Sequence, residues 1–300
     1  MTEGAAGLST VDDRGVWSGL DVDFCAALAA AVFAKKSAVK YIALTAADRF
    51  QALKSGQVDV LARSTTWTMT RETELGLRFA PPIFYDGQGF LVRLGQAVGS
   101  VLELSGASIC VLAGSRGEQS VSEFFAAQKM RFVAVVSEKW ADLVSAYRLG
   151  GCTVLTGDLT VLARERAALE APGQHILLPE LITKEPFAPA VRQGDERWHS
   201  IVRWTVLALI AAEELGVTAI NADTMRTSKQ QDVRRLLGVE GNLGASLGLS
   251  PGWALAAIKQ VGNYGEIFER NVGSRSPLKL DRRLNALWSN KGLMYAPPLR

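Results

Sequence analysis

Five hydroxyl side chains fall within seven residues of this 300-residue chain, at Ser64, Thr65, Thr66, Thr68 and Thr70, with Trp67 among them and Arg71 directly after. Hydroxyls give and take hydrogen bonds, an indole offers a flat apolar face, and a guanidinium forks onto a carboxylate through two parallel bonds. Together these are the groups needed to hold a small zwitterion. The same composition also suits a polar surface loop after a strand, and spacing alone leaves both readings open. The elements before the loop are a helix end at Phe50 and Leu53, a turn at Ser55-Gly56 and a short strand through Val58, Val60 and Leu61.

The bulk composition narrows the class. With 48% apolar residues the chain has enough material for real cores in one large domain or two ordinary ones. Lys plus Arg (33) against Asp plus Glu (30) gives a net charge of +3 with no basic block, which argues against a nucleic-acid partner. The longest apolar runs, Phe24 to Ala34 and Trp204 to Ala212, fall short of the roughly 20 residues of a bilayer span, so they are expected as buried helices. The start, MTEGAAGLSTVDDRG, has neither a basic end nor a hydrophobic region, so no secretory signal is expected in the sequence as given.

Strands alternating with helices predict open α/β lobes with parallel sheets. In the first part a helix is expected over Leu20–Val32 with Asp21 and Asp23 at its start, a strand at Tyr41–Leu44 and a helix at Ala46–Leu53. Further on, strands at Ile109–Ala113, Phe132–Val136 and Val154–Leu155 alternate with helices at Val121–Gln128, Lys139–Leu149 and Leu159–Leu169. A long amphipathic helix, Trp198–Leu215, stops at Gly216. Cys110 and Cys152 each begin a strand-like run. If those strands are neighbours the sulfurs come within bonding reach, and otherwise they are buried thiols.

The stretch LKSGQVDVLARSTTWTMTRETELGLRFA, followed by PPIFYDGQGFLV, resembles the first-lobe signature of amino-acid-binding proteins of ABC transporters. GVWSGLDVDFCAALAAAVF, KEPFAPAVRQGD, AEELGVT, VGNYGEIFERNVG and GLMYAPPLR resemble its general L-amino-acid-binding subfamily (AapJ/BztA-like), so that the likeness runs from about Leu8 to Arg300. It implies a type II periplasmic-binding-protein-like clamshell of two lobes with two hinge crossings. Residues 1–92 and 193–300, including a C-terminal extension, are expected to form the first lobe and residues 93–192 the second.

By the TxxR match, Thr68 to Arg71, the resemblance makes Arg71 the cation for a ligand carboxylate, with Ser64 and Thr66 as hydroxyl donors. Asp158, in LTGDLTVL, matches the second-lobe aspartate that grips the ammonium, although an aspartate between strand and helix can instead cap that helix. Gly114-Ser115-Arg116 stands where the family usually has Gly-Thr-Thr at a helix N-terminus. Ser115 is therefore a candidate donor, and Arg116 either reads a second anionic group or points to solvent. Trp67 is expected to wall the ligand or to pack. The family also carries a first strand that these opening residues do not resemble, which would leave buried ladder groups unpaired at about 1 to 3 kcal/mol each.

The expected function is capture of polar L-amino acids for ABC-transporter uptake, with ABC permease subunits as partners, as a monomer that spans no membrane. The resemblance implies a periplasmic location, whereas the missing signal would suit the cytoplasm. No cofactor, metal site or catalytic residue is expected. An enzyme on this scaffold, similar to cyclohexadienyl dehydratases, would need a general acid, for which Glu118 is the candidate. A truncated homologue without transport activity is the remaining alternative.

Overall fold

The computed structural model describes residue 1, residues 4–96 and residues 98–300. Ala97, inside the stretch Val92–Val101 expected as the outward crossing, lies outside the described residues. The chain divides into two compact units, Met1–Phe84 with Pro186–Arg300 and Tyr85–Glu185. Both divisions come earlier than the expected 92/93 and 192/193 boundaries. On the outward path Gln88–Arg93 is already a strand of the second unit's sheet. On the return, Ala190–Arg192 already pairs antiparallel with Leu77–Phe79 in the first unit.

The second unit is a five-stranded sheet in the order Val133–Ser137, Ser108–Leu112, Val154–Asp158, Gln88–Arg93, His175–Leu177. The first three strands are parallel, joined by the helices Arg116–Ala127 and Trp140–Leu149, and Leu159–Ala167 follows the third. Gln88–Arg93 runs antiparallel to both of its neighbours. Because successive strand residues face opposite sides, Phe90, Val92, Ile109 and Val111 enter one apolar cluster with Phe125. Leu91, Cys110 and Leu155 enter the other with Tyr147 and Leu162. Burial on both faces explains why these strands read as unbroken apolar runs. Cys110 and Cys152 are joined as a disulfide, and Cys25 is a buried thiol in the first unit.

The first unit is built on helices. Leu20–Phe33 is apolar nearly all round and buried along most of its length, packed against Trp253–Val261. Glu196–Glu214 and Tyr264–Asn271 complete this layer, and the C-terminal residues belong to the first unit. Trp253, Tyr264 and Phe268 are buried anchors, and the Tyr264 hydroxyl donates to the Ile83 carbonyl at 3.1 Å. Trp288 and Tyr295 are exposed and meet edge to face. No helix among the described residues is long and apolar enough to cross a membrane.

Here the structure corrects two expected strands. Among the described residues Tyr41–Leu44 and Val58–Leu61 form no ladder; Leu61 makes a bridge, to Ala190. A strand exists only with a partner, and Met1 meets the first segment through its backbone. Its ammonium donates to the Ile42 carbonyl at 3.0 Å, and its carbonyl accepts the Leu44 amide at 3.0 Å, the bonding pattern of a parallel neighbour. Tyr41, Ile42, Val58 and Val60 line a cavity of about 260 Å³ with Cys25 and Leu28.

The Cys110–Cys152 bridge closes a segment of 42 residues, so replacing both by alanine should lower the second unit's stability by about 2 to 4 kcal/mol in denaturant titrations.

Candidate functional site

In the first unit the hydroxyl-rich loop is stapled to the returning chain. Thr66 forms a bridge with Phe187, and the Trp67 amide donates to the Pro186 carbonyl at 2.8 Å. Thr68 then caps the short helix Met69–Thr73, its hydroxyl accepting the Arg71 amide at 3.3 Å. This fixes the backbone of Arg71, whose guanidinium donates back to the Thr66 carbonyl at 2.5 Å and lies 5.6 Å from the centre of the Phe50 ring. Arg49 sits over the same ring at 4.6 Å. Burial, then the nearby charges of Arg71 and Arg63, push Arg49 down to about 10, and its Nε is buried without a hydrogen-bond partner. Like charges brought together this way favour an anion nearby.

Two expected ligand groups have internal work instead. The Ser64 amide and hydroxyl both donate to Asp21 Oδ2, at 2.9 and 3.2 Å, which spends the hydroxyl proton inside the unit. Asp21 is buried, and that burial pushes its carboxyl up to about 6 despite the two bonds from Ser64. Trp67 stacks on Phe79 with ring centres 6.0 Å apart, and its indole N–H donates to Glu72 at 2.6 Å. It still leaves 39% of its surface exposed, enough for a ligand contact.

In the second unit the candidate residues line one cavity of about 520 Å³, whose walls include Gln88, Arg116, Trp140, Asp158, Arg164 and Glu185. Ser115 also lines it but serves as the N-cap of Arg116–Ala127, accepting the Glu118 amide at 3.1 Å and donating to the Leu112 carbonyl at 2.6 Å. Gly114 has a φ of +63°, which a residue with a Cβ seldom adopts, and donates its amide to the Glu118 carboxylate at 2.8 Å. Arg116 is exposed on the first turn of the same helix. Asp158 stands at the C-terminal end of a strand and at the N-cap of Leu159–Ala167, with no cap bond from its side chain. Burial, then the neighbouring Glu185, raises its carboxyl above the ordinary 3.8.

The floor of this cavity comes from residues that no local pattern singles out. Gln88, paired in register opposite Asp158, donates through Nε2 to the Gly117 carbonyl and the Thr156 hydroxyl, both at 3.0 Å. It ties the helix N-terminus to the sheet. Trp140 lies against Gly157, where a Cβ would come within 2.8 Å of the indole, and its N–H donates to Glu165 at 3.0 Å. Glu165 in turn pairs with Arg164 at 2.6 Å. The structure thus gathers Ser115, Arg116 and Asp158 at one cavity, and Ser64, Thr66, Trp67 and Arg71 in one loop of the other unit. Sequence reasoning missed Gln88, Trp140, Arg164 and Glu185; Gln88 and Glu185 lay inside stretches that carried a resemblance. Among the described residues no cluster of three or more His, Cys, Asp or Glu could hold a metal ion.

The model of the bacterial extracellular solute-binding proteins, family 3, matches residues 1–219. The chain is 50% identical to the general L-amino acid-binding periplasmic protein AapJ of Rhizobium johnstonii, over all of this chain and 89% of that protein. It is 46% identical to the glutamate/glutamine/aspartate/asparagine-binding protein BztA of Rhodobacter capsulatus, over 99% of this chain and 88% of the other. An ABC transporter periplasmic binding protein from Brucella ovis, solved with glutathione bound, superposes with a TM-score of 0.84 at 49% identity, covering all of this chain and 94% of that one.

The tight seat of Trp140 makes Gly157 testable. Gly157→Ala should destabilise the second unit by about 1 to 3 kcal/mol, because the added methyl meets the indole, and Trp140→Phe in the same chain should return part of the loss. Denaturant titration of the single and double variants measures both.

Proposed function

We propose that this chain, which belongs to the bacterial extracellular solute-binding proteins of family 3 and has their type II periplasmic-binding-protein-like α/β fold, captures polar L-amino acids in the periplasm. It then presents them to the transmembrane subunits of an ABC transporter, acting as a monomer. The observation that carries this reading is the division of charge. The first unit concentrates guanidiniums around the Arg71 loop, while the second presents the Asp158 and Glu185 carboxyls at one cavity. An amino acid is the small molecule that satisfies both signs at once, with a carboxylate for Arg71 and an ammonium for Asp158.

A ligand shifts a conformational equilibrium by its differential affinity for the states, and the favoured state is what a permease can recognise. Micromolar affinity corresponds to about 8 kcal/mol, within reach of two charge pairs shielded from water. For the enzymatic alternative, the candidate Glu118 carboxylate accepts the Gly114 amide, and the Glu118 amide donates to the Ser115 hydroxyl. The Brucella ovis relative was solved with glutathione, a peptide with free ammonium and carboxylate groups, so peptides of that kind belong among the ligands tested.

Calorimetric titration with the twenty L-amino acids and glutathione, after refolding to strip carried ligand, tests the proposal. Arg71→Ala and Asp158→Ala should each weaken binding of the preferred ligand by about 10- to 100-fold, the worth of one charge-assisted hydrogen-bond pair. A folded wild-type chain that binds none of these ligands would overturn it.

A further inference from the structure

An aspartate at a helix N-cap ordinarily turns its side chain back to accept the amide of the second or third helical residue. Asp158 holds that position ahead of Leu159–Ala167 and makes no such bond. The helix is capped nonetheless. The Leu159 amide donates to the Gly87 carbonyl at 2.9 Å, and both the amide and the hydroxyl of Thr160 donate to Asp86, the hydroxyl at 2.6 Å. The other Asp86 oxygen accepts the Gly87 amide at 2.8 Å. Asp86 is only 2% exposed, with three donors on its carboxylate, whereas Asp158 is accessible on the cavity.

We propose that Asp86 is a positioning residue that caps this helix in place of Asp158 and thereby leaves the Asp158 carboxylate turned to the cavity for a ligand ammonium. The idea rests on the ammonium role given to Asp158 above. Its physical content is a substitution of donors and acceptors. A helix N-terminus needs acceptors, and Asp158 holds the N-cap position from which a side chain ordinarily supplies one. Capping and ligand binding would then compete for a single carboxylate, and Asp86 removes the competition. Its location on the outward crossing, far from Asp158 in sequence, is made possible by the antiparallel pairing that sets Gln88 opposite Asp158.

The arrangement also places like charges together. Asp86 lies near enough to Asp158 to be raised further by it, after burial, to about 7, and Asp158 is raised in turn by Glu185 after burial. Arg116 and Arg164 line the same cavity as Asp158 and Glu185, and Thr160 and Gly87 give Asp86 only neutral donors.

Two measurements test the proposal, one without ligand. In carbon-detected NMR titration of the ligand-free protein, Asp158 should titrate above 3.8 in the wild type. Asp86→Asn removes the neighbouring charge but keeps an acceptor for Thr160, so it should lower the Asp158 pKa only a little. Asp86→Ala removes the cap as well, and should bring Asp158 below 3.8 as its carboxylate turns back onto the helix amides. In calorimetry, wild type should prefer the best amino acid over its 2-hydroxy analogue, which lacks the ammonium. Asp86→Ala should reduce that preference about tenfold, as Asp158→Ala does, and Asp86→Asn should restore most of it.

An Asp158 titration that is the same in Asp86→Ala as in Asp86→Asn would overturn the inference while leaving the binding function intact. So would an equal loss for the amino acid and its hydroxy analogue, the mark of a merely structural role. Wild-type protein that shows no preference for the ammonium would instead overturn the assigned role of Asp158, and the ligand-free titration would still decide whether Asp86 holds the cap.

Discussion

The register that sets Gln88 opposite Asp158 is the constraint on which the second unit depends. Gln88–Arg93 is bonded on both sides, to Val154–Asp158 and to His175–Leu177, and every residue of it but the last is buried. A slip of one residue would exchange Leu91 with Phe90 and Val92 between the two apolar clusters, and burial on both faces makes that slip costly. The same register puts the Gln88 amide beneath the start of one helix and the Asp86 carboxylate beneath the start of another. Structure and candidate chemistry are thus carried by one pairing.

Much of this was legible in the sequence. The helices over Leu20–Phe33, Trp140–Leu149 and Glu196–Glu214 follow from apolar spacing and, for the last, from Gly216 as a stop. The strand and helix alternation of the second unit follows from apolar runs between turns, and Arg71 and Asp158 stood out by residue type and by resemblance. What escaped was what long-range pairing decides. Tyr41–Leu44 and Val58–Leu61 have strand composition but form no ladder among the described residues, because composition does not supply a neighbour. Ser64 reads as a ligand donor until Asp21, buried 43 positions away, is seen to take both of its hydrogens. Asp158 carries two competing local readings, cap and ligand grip, and only the contact from Thr160 to Asp86 separates them.

The two units are electrostatic opposites at their candidate sites. Arg49, Arg63 and Arg71 interact unfavourably in the first, strongly enough with burial to push Arg49 down to about 10. Asp86, Asp158 and Glu185 do the same with negative sign in the second. Each cluster is a local cost that the rest of its unit supports, through the Phe50 ring under the guanidiniums and through the hydrogen bonds of Thr160 and Gly87 to Asp86. On the proposed function a zwitterion relieves both costs together, and a ligand with one charge relieves only one.

The Cys110–Cys152 bridge has a practical side. Both sulfurs are fully buried and Cys110 and Cys152 belong to the apolar cluster with Tyr147 and Leu155, so reductant reaches them poorly while the protein is folded. A refolding step that strips carried ligand should therefore keep the bridge oxidised, because a chain reduced while unfolded exposes both thiols, and Cys25 with them, to mispairing.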